Sequence, residues 1–354
     1  MNTAYSLSRK QGWRRFTDTP ARVRPDRLSA AAVARLASAE RARYNEGRHN
    51  WHANFGTIAT PQLKEVREEL ELIVASNRQD SDRVRGAAVI DGFPGLGKTT
   101  TANLFARDFD RTARLRDGET TAEGDERIPV FRVGLTSNTT LRTLNRMICE
   151  FYGHPGAAHG TAAQLATFAL DCVLKCDTRV GIIDDVHFIN QNSRDGLAVS
   201  NHLKWLANEL PITFIYAGVG LTERRFFDEG LTGESAALAQ TARRWTRLEV
   251  TKFEQDDSWT VLVKAIEKQL VLAKARPGRL VALDGYLFER TGGHIGSLIT
   301  LVTRGCFKAV KSGTEALTWE LLQSIRIDEG AEQSRQRRAA EGRQRGKKKA
   351  EVIR

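Results

Sequence analysis

Cysteine is scarce in this chain. Four occur in 354 residues, Cys149, Cys172, Cys176 and Cys306, with no Cys-x-x-Cys pair and no His/Cys cluster at zinc spacing. That excludes a disulfide framework and a zinc module, and the thiols read as core or incidental side chains in a reducing compartment. Long apolar runs are lacking as well. None approaches the ~18 residues that would span a bilayer. The opening MNTAYSLSRKQGWRRF has no apolar segment of the kind a secretory signal needs. The expectation is a cytoplasmic protein with no membrane partner. Acidic residues are sparse at both ends. Residues 1–50 hold eleven Lys/Arg against four Asp/Glu, and residues 335–354 hold nine against two, so each end carries +7 of a total of +11. The stretch 51–334 is therefore about three charges negative. Two basic ends on a near-neutral body fit arms that meet a polyanion, and they equally fit solubilising tails.

What is present is a hydrophobic fraction of 41%, enough for a sizeable core in one main domain with a smaller partner. Five short apolar runs read as strands: 86–91 (GAAVID), 128–135 (IPVFRVGL), 179–184 (RVGIID), 211–220 (PITFIYAGVG) and 245–250 (WTRLEV). Helical patterns lie around them. Thr60-Pro61 is an N-cap followed by proline at the first helical position, and Leu63, Val66, Leu70 and Ile73 recur at helical spacing up to about Ser76. A helix opening at Lys98 carries Ala102, Leu104 and Phe105, and RLRDGETTAEGDER follows as a loop. Leu141, Leu144 and Ile148 mark one further helix, and SRDGLAVSNHLKWLANEL another. Strands alternating with helices predict a parallel sheet covered on both faces. From about Asp256 the pattern is purely helical, and it ends in a basic low-complexity stretch, QSRQRRAAEGRQRGKKK. No internal repeat is visible.

Between the first strand and its helix stands GFPGLGKTT: Gly92, Phe93, Pro94, Gly95, Leu96, Gly97, Lys98, Thr99 and Thr100. This is the full P-loop pattern. The glycines let backbone N–H groups turn inward around phosphates, and the opening helix aims its N-terminus at the anion. In this pattern Lys98 sits on the β- and γ-phosphates and the Thr99 hydroxyl ligates Mg²⁺, so the expected cofactors are ATP and Mg²⁺. VGIIDDVHF supplies the second acidic strand. Asp184 would hold Mg²⁺ through water, and Asp185 would orient the attacking water or else serve as a helix cap. His187 is either a γ-phosphate contact or a packing histidine. TARRWTRLEV places Arg243 and Arg244 before the last strand, where an arginine finger would reach a neighbouring subunit's ATP; Arg244, beside Trp245, is the first choice. In TGGHIGSLITL, Gly292, Gly293 and Gly296 suit a tight turn and close helix approach, as in a lid over a nucleotide.

Together the P-loop, the paired-aspartate strand, the arginine pair and the helical lid resemble an AAA+ ATPase. Within that class HANFGTIATPQL, RDGLAVSNHLKWLANELPITFIYAGVG, RRWTRLEVTKFE and TGGHIGSL are similar to segments of the TniB family, over roughly residues 50–325. That family is grouped with TnsC and Mu B: ATPases of DNA transposition that form ATP-dependent oligomers on duplex DNA and recruit a transposase. The resemblance implies an α/β fold, an AAA+ αβα sandwich on a parallel five-stranded sheet with a small C-terminal helical lid. It also implies a homo-oligomer, ring or helical filament, with duplex DNA and a transposase as partners. Residues just after the second strand line the DNA in such oligomers, which points to Asn138, Thr139, Thr140 and Arg142, although Ser137 or Asn138 also suits a helix cap. The chain departs from the pattern at three places. Asp185 stands where Glu is common, which implies slow hydrolysis. Glycines end the fourth strand where a polar sensor is usual, leaving Thr222 nearest. Gly296 stands near a sensor arginine's place, leaving the backbone or His294.

The organisation expected is a partly helical basic arm (1–45), the AAA+ domain (46–252), the helical lid (253–328) and a disordered basic tail (329–354). Two other classes use the same chemistry: a nucleotide-gated signalling or defence switch without a DNA role, and a helicase loader preferring single strands. A small-molecule kinase would need an acceptor site that the sequence does not display.

Overall fold

Three apolar runs with no polar interruption form the centre of a sheet. Strands β1 (Ala87–Asp91), β3 (Val180–Asp184) and β4 (Thr213–Gly218) are buried at every position, as strands covered on both faces must be. β2 (Val130–Gly134) is half-buried in places, and β5 (Trp245–Glu249) buries only Leu248. All pairings are parallel, in the order β2-β3-β4-β1-β5. The register sets Asp91 beside Gly218 and Glu249, and Gly134 beside Asp184. The carboxyl ends of β1, β3 and β4 therefore share one edge, where ligands of open parallel sheets bind. The five strands lie where the apolar runs place them, trimmed at their ends.

This computed structural model describes residues 5–56, 58–79, 85–189, 193–221, 245–337 and 340. The chain divides into two units, 1–20 with 62–251, and 21–61 with 252–354. In the first, α4 (Pro61–Ser76) buries Val66, Leu70, Ile73 and Val74. The helix after the P-loop, α5 (Lys98–Asp117), runs four residues into the stretch expected as a loop, and ends at Gly118, φ 85°. A buried Arg114–Asp110 pair at 2.7 Å, one helical turn apart, holds that extension. Next come α6 (Leu141–Tyr152), α7 (Ala162–Lys175) and α8 (Arg194–Glu209). The sequence reading assigns no helix to 162–175. α7 is nonetheless well specified: Thr161 and Gln164 form a capping box, and Leu165, Ala169 and Val173 are buried four residues apart.

The N-terminal stretch is not a free arm. In α1 (Lys10–Asp18) Trp13 is buried, and its Nε1 donates to Asp110 Oδ2 at 3.0 Å. Arg114 donates to Asp18 Oδ1 (2.6 Å) and to Thr17 Oγ1 (3.0 Å), while Arg9 and Lys10 pair with Glu150 and Glu126. Three of the cations expected to seek a polyanion, Arg9, Lys10 and Arg14, are thus engaged internally here. Trp13→Ala should cost about 3–5 kcal/mol, read as a fall in the urea midpoint at unchanged m-value. A loss below about 1 kcal/mol would mean that α1 docks without holding the unit together.

The second unit is helical: α2 (Ala30–Arg35), α3 (Ser38–His52), α9 (Asp257–Gln269), α10 (Asp284–Thr291), α11 (Ile295–Ser312) and α12 (Trp319–Gln323). Trp259, Leu262, Leu287, Leu298, Leu301 and Leu322 lie in its core. Arg48 of α3, fully buried, makes two hydrogen bonds to Glu315, at 2.7 and 2.9 Å. His52 Nε2 accepts from Val271 N at 3.0 Å, and burial, with Arg48 nearby, holds its pKa down at about 4. These buried contacts make residues 38–45 part of the helical unit rather than of a basic arm, and place residues 46–52, expected in the AAA+ domain, in that same unit. Residues 329–337, expected in the disordered tail, are helical: Ala331 enters the core and Glu332 pairs with Arg290. Residues 341–354 lie outside the described residues. No helix among the described residues is long and apolar enough to cross a membrane.

Candidate nucleotide site

The P-loop starts where β1 runs out. Gly92 adopts φ 157°, and a Cβ there would lie 2.2 Å from the Val250 carbonyl oxygen. No side chain fits, because Val250 N continues the β1–β5 ladder to Asp91 O at 2.8 Å. Gly97, the N-cap of α5, sits at φ 93° in open space, so its requirement is conformational alone. Having no side chain, Gly97 leaves the first N–H groups of α5 uncapped and directed outward. Lys98 is buried, and its ammonium donates to the carbonyls of Gly92 (2.7 Å) and Phe93 (2.6 Å). Burial pulls its pKa below the usual lysine range, and Asp91, Asp184 and Asp185 oppose that pull.

β3 delivers the carboxylates to the same edge. Asp184, buried, accepts from the Thr99 hydroxyl (3.1 Å) and from Asp185 N (3.0 Å) through Oδ1. The structure thus brings together Lys98, Thr99, Asp184 and Asp185 from two segments far apart in sequence. A hydroxyl and a carboxylate oxygen in contact make an all-oxygen donor pair, the set a hard cation such as Mg²⁺ takes. Asp185 stands at φ 59° ahead of a 3₁₀ turn, Val186–Phe188, and its carboxylate caps nothing there. Burial, then the Asp184 charge, raises its pKa above the usual carboxylate range. His187 Nδ1 is 4.0 Å from Asp185 Oδ1, and its ring lies tilted against Phe188, with centroids 4.4 Å apart.

Three contributors were not picked out from sequence. Asp91, buried, accepts from Gly92 N (2.8 Å) and Leu221 N (3.0 Å), tying the P-loop entry to the turn after β4. Arg132 of β2 donates through Nη2 to Asp184 Oδ2 at 2.6 Å and through Nε to Asn103 Oδ1 at 3.1 Å. A charged residue inside an otherwise apolar run, IPVFRVGL, was the available signal.

The residues after β2 are placed differently from one another. Thr140 is the N-cap of α6, accepting from Thr143 N, and neither Ser137 nor Asn138 holds that position. Thr139 is buried, and its hydroxyl accepts from Thr136 N at 2.9 Å. Arg142 is exposed, with Nε donating to Gly160 O at 3.0 Å. In the helical unit, Gly293 packs so tightly on Phe253 that a Cβ would lie 2.2 Å from its carbonyl oxygen, and His294 Nδ1 lies 3.1 Å from Gly292 O. Arg243, Arg244 and Thr222 lie outside the described residues. The thiols are unpaired, and burial pushes Cys149 and Cys172 up to about 11 and Cys176 to about 12, which makes them poor nucleophiles. Among the described residues no group of three or more His, Cys, Asp or Glu is placed to hold a metal by itself.

Residues 81–226 match the family model described as an AAA domain. No curated protein matches the chain. In structure it is similar to the Orc1 protein of Aeropyrum pernix, solved in complex with DNA, at 13% identity and a TM-score of 0.57, covering 78% of this chain and 68% of that one. It is also similar to Cdc6p of Pyrobaculum aerophilum, at 10% identity and a TM-score of 0.54, covering 76% and 67%. At such identities the likeness is one of fold. The fold is the AAA+ α/β type, with its P-loop and a helical C-terminal region.

Proposed function

We propose that this chain is an ATP-binding and ATP-hydrolysing AAA+ switch that assembles on duplex DNA and acts as a transposition regulator, marking target DNA and recruiting a transposase. The observation that carries the ATP reading is the meeting of Thr99 with Asp184 at 3.1 Å beside the buried Lys98. In this reading residues 92–100 hold the phosphates and Lys98 compensates their charge. Thr99 and Asp184 hold Mg²⁺, which supplies charge neutralisation at the β- and γ-phosphates. Asp185 orients the attacking water, and Arg244, with Arg243, completes the site from a neighbouring protomer.

The DNA and transposition parts rest on the TniB-like segments and on the basic C-terminal end. A DNA-bound structural relative is consistent with them. Of the residues proposed to contact DNA, Arg142 offers an exposed cation, while Thr139 and Thr140 shape the turn that presents it. Such contacts are sequence-independent and salt-sensitive.

The test is binding to a long random-sequence duplex with ATP, with ADP and with no nucleotide, at two salt concentrations. The expected result is tight, salt-sensitive binding with ATP and at least about tenfold weaker binding otherwise. Binding indifferent to nucleotide would reduce the DNA role to the basic tail. Preference for single strands would favour a helicase loader, and no binding would favour a protein-gating switch. Truncation after residue 340 removes six Lys/Arg and spares the helix 329–337. If the tail touches phosphate, the salt slope should flatten by about 0.9 per lost contact. An unchanged slope would assign the tail to a protein partner.

A further inference from the structure

Arg132 has a place in the nucleotide site that the P-loop chemistry does not require. Its side chain is 14% exposed and reaches Asp184, 4% exposed, across 52 residues of sequence. Asn103 of α5 holds the Nε edge of the guanidinium, which fixes the direction of the Nη2 bond. The Asp184 carboxylate is thus divided: Oδ1 faces Thr99 and the Asp185 amide, and Oδ2 faces a permanent cation. A charge-assisted bond between two groups this buried is strong, and removing either partner strands the other's charge. A cation drawing on Asp184 meets a carboxylate whose charge is already half-committed.

We infer that Arg132 is a positioning residue that sets the coupling between nucleotide and Mg²⁺. It stands in for the metal at Asp184, so that the site keeps its shape and its charge balance toward phosphates when Mg²⁺ is low. The inference rests on the nucleotide-site reading above and deepens it. Without Arg132, the bare Asp184 carboxylate would repel the phosphates when no metal is bound and would hold Mg²⁺ more tightly when metal is present.

The experiment is titration of the full-length protein with a fluorescent, non-hydrolysable ATP analogue, in chelator and across buffered free Mg²⁺. For Arg132→Met, affinity in chelator should fall about tenfold, while affinity at saturating Mg²⁺ should stay within about threefold. The Mg²⁺ enhancement then grows about tenfold and its midpoint moves to lower Mg²⁺. Arg132→Lys should restore part of the chelator-state affinity. An unchanged enhancement in a variant of wild-type melting temperature would overturn the inference, and so would an equal loss with and without Mg²⁺; either makes Arg132 a structural brace. Should Arg132→Met fail to fold, Asn103→Ala keeps the charge but releases its guide, and should move the enhancement in the same direction by about threefold. No movement there also overturns the inference. A wild-type protein that binds no nucleotide under any condition sinks the functional reading instead, and is told apart by that control.

Discussion

Lys98→Met is expected to weaken ATP binding about 100-fold, equivalent to about 3 kcal/mol, without destabilising the protein. The two halves of that result come from one geometry. The ammonium is buried among Gly92 O, Phe93 O and three carboxylates, so it is the nearest compensating charge for phosphates held by the loop. The same burial lowers its pKa, so the native state disfavours the charged form. The native protein then binds fewer protons at this group than the unfolded chain does, and stability at this site rises as pH climbs toward the ordinary lysine value. A methionine of similar length removes that penalty and retains the packing, so the melting temperature should hold or rise, as at many functional sites. Calorimetric titration with ATP, beside thermal melts, checks both halves. Near-normal ATP affinity would mean that Lys98 serves only to close the loop, and the nucleotide reading would lose its main support. ATP affinity should also fall at a lower alkaline pH than an ordinary lysine would give, because deprotonation comes earlier.

Which parts of this molecule are legible in its sequence follows from how local their causes are. The P-loop is contiguous: nine residues carry both the φ requirements of Gly92, Gly95 and Gly97 and the charge of Lys98. The strands are legible because burial on both faces forces unbroken apolar runs, as in β3 and β4. Asp184 follows from being the first polar residue at the end of such a run. Arg132 shows the opposite case. It marks itself as unusual by lying within an apolar strand, but its partner is fixed by the β2–β3 register and by Asn103 on a helix.

The ends misled for a related reason. Residues 1–50 look like a basic arm when their charges are only counted, yet Trp13 and Arg48 are buried. The acids that engage their cations, Glu126, Glu150 and Glu315, are 116 to 267 residues away in sequence. A tally of charge cannot see such partners. Capping, by contrast, is local, and Thr161 with Gln164 would have disclosed α7 to a reading that looked for capping boxes between strands.

Asp185→Asn should cut ATP turnover by about 10²–10³-fold while leaving ATP affinity within about threefold. Position and conformation separate these effects. Asp185 lies next to Asp184, donates its backbone N–H to that carboxylate, and takes a left-handed φ of 59° that asparagine tolerates as well as aspartate does. Its own carboxylate caps nothing in the following turn and is 46% exposed. An amide of the same shape therefore keeps the turn and the Thr99–Asp184 contact, and removes only the capacity to take a proton from water. The raised pKa supplies a second signature. Burial and Asp184 make Asp185 hold its proton above the usual ~3.9 of an aspartate, so the acid limb of the rate profile should sit above that value and vanish in the variant. For folding the sign is the reverse. A carboxyl with a raised native pKa stabilises the fold only while protonated, and at neutral pH its ionised form works against the fold. Asp185→Asn should therefore melt slightly higher than wild type as turnover falls. Turnover that survives in Asp185→Asn, with the acid limb unmoved, would transfer the role of positioning water to another group, and His187, 4.0 Å away, would be the next side chain to replace.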